Sequence, residues 1–260
     1  MRTDALDIDR FYRTASGQLA QDMVRRRVRA IWSSVSGLDM LALGYGAPYL
    51  EPFGDEARRT IAFMPAAQGA VAWPSNEPGL TALGDEHRLP FAEALFDRIV
   101  LVHALEEARD VRRLLREVWR VMAPEGRLIV IASNRGGIWA LNDHTPFGHG
   151  RPFTRRQLYS VLQDTLFEPT AFARAVFAPP WRWASRPALA NGFEHMGSRL
   201  WPALGGLILV EAVKHVGAVR PGGHGQRVRR PRLEPAVRPA LSRMPNRAPD
   251  ETRSDRKMER

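Results

Sequence analysis

The sequence predicts a parallel α/β sheet with helices on both faces, and three observations predict it. Between residues 38 and 133, short apolar runs alternate with helical patterns, and no tight hairpin joins them. The run over residues 95–102 (LFDRIVLV) has the continuous apolar character of a strand buried on both faces. The run Met40-Leu41-Ala42-Leu43 ends in Gly44-Tyr45-Gly46, and Ala47-Pro48 opens a new segment. Glycines at alternate positions suit a tight turn with positive φ and close backbone approach. Pro48 has no N–H to lose and fits the first turn of a helix. Together these make a strand, a glycine turn and a helix start whose amides point outward.

Taken in order, residues 7–32 read as one basic amphipathic helix, a cap on its own domain with Arg25, Arg26, Arg27 and Arg29 in water. A helix is expected over 48–58 and a second strand over 59–64 (RTIAFM). Breakers fill 73–79, a short third strand falls at 79–83, and the buried run at 95–102 is the fourth. Residues 106–122 place Val111, Leu114, Leu115, Val118 and Val121 on one helical face, before a turn at 123–126 and a strand at 127–132. Residues 134–153 form a Gly/Pro/His-rich loop of a length that is usually functional or mobile. Thr154 is placed to cap a helix over 154–166. Two more strands are expected at 171–177 and 204–216, with a helix around 187–200 between them.

The 260 residues give room for one full core plus extensions, read as a helical cap (1–37), an α/β domain (38–216) and a tail (217–260). The net charge of +10 is uneven: from Val216 onward there are 12 Lys/Arg against 5 Asp/Glu. The tail therefore reads as a disordered appendage able to bind polyanions weakly, and the domain itself as nearly neutral. With no cysteine, disulfides, thiolate metal sites and a cysteine nucleophile are excluded. The charged start MRTDALDIDRFYR has no apolar core, and residues 203–213 are too short to span a bilayer, so a cytoplasmic protein is expected. The sequence leaves the oligomeric state open.

Residues 84–130 (GDEHRLPFAEALFDRIVLVHALEEARDVRRLLREVWRVMAPEGRLIV) carry a resemblance. An acid (Asp85), Leu89-Pro90-Phe91, a strand opening Phe96-Asp97, a turn with His103, a helix ending Arg120-Val121-Met122 and the Pro124-Glu125-Gly126 turn follow in order. The combination resembles the Rossmann-like (class I) S-adenosylmethionine-dependent methyltransferases over about residues 38–133, and more loosely to 216. The resemblance implies a seven-stranded, mostly parallel sheet with an antiparallel last strand and S-adenosyl-L-methionine as cofactor. It implies that Gly44, Tyr45 and Gly46 pass under the methionyl part, that Asp85 accepts from the adenine amino group with the Glu86 backbone alongside, and that His103 faces the methyl end.

Two positions depart from the family pattern. Pro48 stands where a third glycine is usual. Met64, or Pro65 if the register slips, stands where an acid binds both ribose hydroxyls, so that either the cofactor is bound more weakly or the ribose is held by another group such as Gln68. Methyl transfer needs an aligned acceptor, exclusion of water and, for O–H or N–H acceptors, a base. No metal is required. A small-molecule acceptor is expected, with His144 and His149 of the loop as base candidates; Phe177, Trp181 and Trp183 read first as core packing, with a wall for an apolar acceptor as the alternative. The rival readings are a non-catalytic or regulatory protein on this fold and a nucleic-acid methyltransferase or binder using the tail. The second of these lacks an Asn-Pro-Pro-Tyr-like motif and aromatics among the tail's arginines.

Overall fold

The structure is a computed structural model that describes residues 2–74, 79–180, 192–193, 196–197, 199–201 and 204–215. Helices α1 (Ala5–Tyr12) and α2 (Ala15–Ile31) precede β1 (Asp39–Gly44), α3 (Ala47–Leu50), β2 (Arg59–Pro65), β3 (Thr81–Gly84) and β4 (Phe96–Val102). After these come α4 (Val111–Val121), β5 (Met122–Ser133), α5 (Arg155–Asp164), β6 (Phe167–Ala175) and β7 (Leu207–Lys214). Seven strands form one sheet in the order β3-β2-β1-β4-β5-β7-β6. The pairs from β3 to β5 are parallel, and β7 runs antiparallel to both β5 and β6. The expected sheet is present, antiparallel last strand included.

Strand periodicity sorts the core into two layers. Met40, Ala42, Val100, Val102, Ile129 and Ile131 pack with α1, α2 and α3 on one face. Leu41, Leu43, Ile99, Leu101, Leu128 and Val130 pack with α4 and α5 on the other.

Several helices are shorter than their apolar patterns. The expected 7–32 helix is two, broken at Arg13 and restarted by Thr14, whose hydroxyl accepts from the Gly17 N–H at 3.1 Å. A Cβ on Gly17 would lie 2.1 Å from the Phe11 carbonyl oxygen, so only glycine allows this corner. The helix expected over 48–58 stops at Leu50 and continues as a single 3-10 turn (Glu51–Phe53), because Pro52 and Gly54 both oppose continuation. Helix α4 begins at Val111, where the Asp110 carboxylate caps the Arg113 N–H at 2.9 Å. Strand β5 starts at Met122, so the expected turn at 123–126 is a bulged strand beginning. The last two strands span Phe167–Ala175 and Leu207–Lys214 rather than 171–177 and 204–216.

The cap's arginines are not all in water. Arg25 Nε donates to the Pro48 carbonyl at 2.7 Å and its guanidinium pairs with Glu51, while Arg29 pairs with Glu56. They hold α2 against the segment after β1. Just past the C-terminus of α2, Glu211 on β7 accepts from Trp32 Nε1 (3.0 Å), Arg127 (3.0 Å) and Thr170 Oγ1 (2.7 Å).

Residues 1–217 form one compact unit. The tail, most of the expected helix around 187–200, and Trp181 and Trp183 lie outside the described residues. No helix among the described residues is long and apolar enough to cross a membrane.

Glu211 joins the cap to β5, β6 and β7. Glu211→Leu is expected to lower stability by about 1.5–3 kcal/mol, the range for hydrogen bonds to a charged group. Urea unfolding of the two proteins measures the difference, and a loss under about 0.5 kcal/mol, the range of an uninvolved surface site, would contradict this account.

Candidate active site

The glycine turn forms where β1 ends against β4. Gly44 has φ +82°, and a Cβ there would lie 2.2 Å from the Val102 carbonyl oxygen. That oxygen accepts from the Tyr45 N–H at 2.9 Å. A Cβ on Gly46 would lie 2.7 Å from that of Ala42. The chain's own packing therefore requires both glycines. His103 follows β4 with φ 50°, a conformation non-glycine residues adopt only when their surroundings enforce it.

The space above this turn is taken by α1. The Tyr12 ring stacks on Tyr45 with centroids 5.3 Å apart and planes 7° apart. Its hydroxyl is hydrogen-bonded to Tyr49 (2.9 Å) and to His103 Nε2 (3.0 Å), and the Tyr45 hydroxyl donates to Asp9 at 2.8 Å. Phe147 of the long loop lies 4.7 Å from the His103 ring and 5.8 Å from Phe11, with Trp139 behind it. All these rings are buried. Burial holds Tyr12, Tyr45 and Tyr49 above the ordinary phenol range and pushes the His103 imidazole down to about 3. His103 is neutral.

The segment leading into α1 crosses the other strand ends. Arg2 forms a buried ion pair with Glu86, and Thr3 is held by Glu107 through its N–H (2.8 Å) and its hydroxyl. The Thr3 hydroxyl also meets His149 Nδ1 at 2.9 Å, and the Ala5 N–H donates to the Gln68 carbonyl at 2.8 Å. A cavity of about 580 Å³ lies beneath, lined by Arg2, Thr3, Gln68, Glu107, His149 and Gly150. A second, of about 660 Å³, opens beside Tyr45, Pro48, Met64 and Trp73.

The predicted residues are thus divided. Gly44, Tyr45, Gly46 and His103 come together. Met64 is buried at the end of β2, and its sulfur accepts from the Val71 N–H at 3.3 Å. Asp85 is exposed and accepts from the His87 N–H at 2.8 Å, closing its own turn, while Glu86 points inward to Arg2. His149 sits against the arm, with its Nε2 bonded to the Asp143 carbonyl at 2.8 Å, and His144 is exposed. Phe177 is half-buried. Among the described residues no group of three His, Asp or Glu could hold a metal.

The sequence reading missed Arg2, Tyr12 and Glu106. Glu106 is buried after β4, where one carboxylate oxygen accepts from the Ser133 N–H at 2.8 Å and the other has no partner. Burial pushes its carboxyl up to about 7. Gln68 is 1 % exposed, and neither its amide nitrogen nor its amide oxygen has a partner. Each such atom costs about 1–3 kcal/mol relative to a paired one. As donors and acceptors for a nucleoside cofactor, Gln68 and the carboxylate of Glu86 fit. The place over the glycine turn is filled by Tyr12.

This strand order, with parallel strands 3-2-1-4-5 and an antiparallel seventh, defines a class I, Rossmann-like methyltransferase fold. Residues 44–130 match the model of a family described as "Methyltransferase domain". Among curated proteins, it is 29% identical over 129 residues to a demethylmenaquinone methyltransferase of Thermobifida fusca, covering 45% of this chain and 53% of that one. The corresponding protein of Deinococcus radiodurans is 28% identical over 133 residues, covering 50% and 52%. The chain thus spans about half the length of these two relatives. Among solved structures, a SAM-dependent methyltransferase of Aquifex aeolicus superposes with TM-score 0.52 at 14% identity, covering 82% of this chain and all of that one. The cyclase SpnF superposes with TM-score 0.53 at 22% identity, covering 79% and 84%. At these identities the likeness is one of fold.

Two buried groups of this site give opposing pH dependences. Glu106 is raised from 4.5 to about 7, so the folded chain holds an extra proton in that window and stability falls as pH rises through it. His103 is lowered from 6.5 to about 3, so stability rises with pH across that window. Between about pH 4.5 and 6.5 the two slopes oppose each other. Glu106→Gln removes only the falling one. Relative to wild type, the variant's melting temperature is expected to climb between pH 4.5 and 7, measured by thermal melts across that range. A constant difference would contradict the raised carboxyl.

Proposed function

We propose that the chain is an S-adenosylmethionine-dependent methyltransferase for a small-molecule acceptor, and that its N-terminal arm (residues 2–12) leaves the sheet edge to admit the cofactor. The observation that carries this reading is the meeting of the glycine turn of β1 with His103 of β4 at one edge of a sheet of this class. The match over residues 44–130 supports it. The relatives named for demethylmenaquinone support a small acceptor.

When bound, S-adenosylmethionine supplies an electrophilic methyl group on a sulfonium. The chain has to orient the acceptor, exclude water and manage a proton. Trp139 and Phe147 form an apolar wall on the acceptor side. The unpartnered oxygen of Glu106 is the group suited to take a proton near neutral pH, with His149 at the arm's edge as the other candidate. His103, held neutral, offers a hydrogen bond rather than a charge.

A second reading, a non-catalytic protein on this fold, is favoured by Tyr12 lying where the cofactor would enter and by Met64 in place of the acid. Affinity separates the two. If the arm closes the site, the apparent dissociation constant is the intrinsic one divided by the open fraction. Arg2→Ala frees the arm's tip and is expected to tighten S-adenosylhomocysteine binding by roughly tenfold, about 1.4 kcal/mol. Calorimetric titration of both proteins measures this. Absence of binding in wild type and variant at millimolar ligand would favour the non-catalytic reading.

A further inference from the structure

A buried amide with two idle atoms needs an explanation, since nearly all buried polar groups in folded proteins are paired. The backbone of Gln68 is fully engaged. Its N–H donates to the Pro65 carbonyl at 2.8 Å, and its carbonyl accepts from the Ala5 N–H at 2.8 Å. The turn that carries it is tied to the neighbouring strand, because the Ala66 N–H donates to the Gly84 carbonyl at 2.8 Å. The side chain therefore leaves a fixed point. Gln68 is among the residues around the cavity of about 580 Å³, and its amide nitrogen and oxygen are buried beside it without partners.

The position is also informative. Gln68 lies four residues beyond Met64, just after β2, the strand whose end carries no carboxylate in this chain. A primary amide offers one acceptor oxygen and a nitrogen with two donors. Each hydroxyl of a vicinal diol can both give and accept a hydrogen bond. The amide and the diol therefore match group for group, without a charge. Among the described residues nothing else uses these atoms, and replacing them by apolar atoms would leave no partner there orphaned.

We propose that the side-chain amide of Gln68 holds the ribose hydroxyls of the nucleoside cofactor, in the place of the missing carboxylate. The proposal rests on the methyltransferase reading above. Being uncharged, the amide holds the sugar less firmly than an acid would. The hydroxyl that accepts from the amide nitrogen and the one that donates to its oxygen are both needed.

The test is calorimetric titration of the full chain with S-adenosylhomocysteine, for wild type, Gln68→Leu and Gln68→Glu, with the melting temperature of each protein without ligand. Gln68→Leu should weaken binding by roughly ten- to a hundredfold, the loss of one or two buried hydrogen bonds. Its melting temperature should hold or rise, because an unpaired buried amide has been removed. A purely structural glutamine would do the reverse, with a lower melting temperature and unchanged affinity, and that result would overturn the proposal. Gln68→Glu should bind at least as tightly as wild type through charge-assisted bonds, and binding weakened as much as in Gln68→Leu would count against the sugar contact.

A second titration uses 5′-methylthioadenosine, its 2′-deoxy form and its inosine counterpart. Wild type should lose about tenfold on the deoxy sugar, and Gln68→Leu should not distinguish the two sugars. Discrimination against the inosine base alone would assign the amide to the base and overturn the assignment to ribose. Failure of all three proteins to bind any of these ligands would overturn the methyltransferase reading itself, and this proposal with it.

Discussion

The hydroxyl of Tyr12, shared between Tyr49 and His103 Nε2, is the contact on which the rest of the site depends. It is a buried polar atom among apolar rings, and such an atom is tolerated only when paired. Pairing it fixes three elements at once: α1, the segment after β1 and the turn after β4. His103 is neutral because this burial excludes the charged form, and its left-handed backbone is held by the rings around it. The stacked Tyr45, the loop through Phe147 and the arm back to Arg2 all follow from that anchor.

The arm and the glycine turn are consequently two answers to one demand. The parallel strands end at an edge where backbone amides and small residues leave space, and an apolar-lined space must be filled by ligand or by protein. In this conformation protein fills it. The arm's polar hold is the Arg2–Glu86 pair, the Thr3 bonds to Glu107 and His149, and one backbone bond from Ala5. Its apolar hold is Ala5, Ile8, Phe11 and Tyr12, all buried in α1.

Strands were legible in the sequence because each buried strand is a short apolar run, and the parallel order followed from the alternation. Helix lengths were less legible. The apolar stripe at 7–32 continues across Arg13 and Thr14, and only the contact of Gly17 with Phe11 reveals the corner. Pro52 and Gly54 are the local signals that stop α3 short of the expected 48–58. In the site, the glycine turn and His103 were visible through local pattern. Asp85 and Glu86 are adjacent, and which of them points inward is decided by the turn bond from the Asp85 carboxylate to His87 and by the distant Arg2. Arg2 and Tyr12 are long-range occupants with no local pattern, and Glu106 acquires its role only from burial. The sequence offers Gln68 as one candidate substitute for the absent acid, and only the fold shows its amide buried and idle.

Hydrogen exchange of the arm's amides, with and without S-adenosylhomocysteine, tests the central claim most directly: that one edge of the sheet is held by the arm or by the cofactor, but not by both. The Ala5 N–H bonded to Gln68 and the Ile8 N–H bonded to Asp4 report on the arm. On addition of saturating ligand, the account predicts faster exchange over residues 5–12 together with slower exchange at the Gly44–Gly46 turn. Ligand binding with the arm's protection unchanged or increased would contradict it.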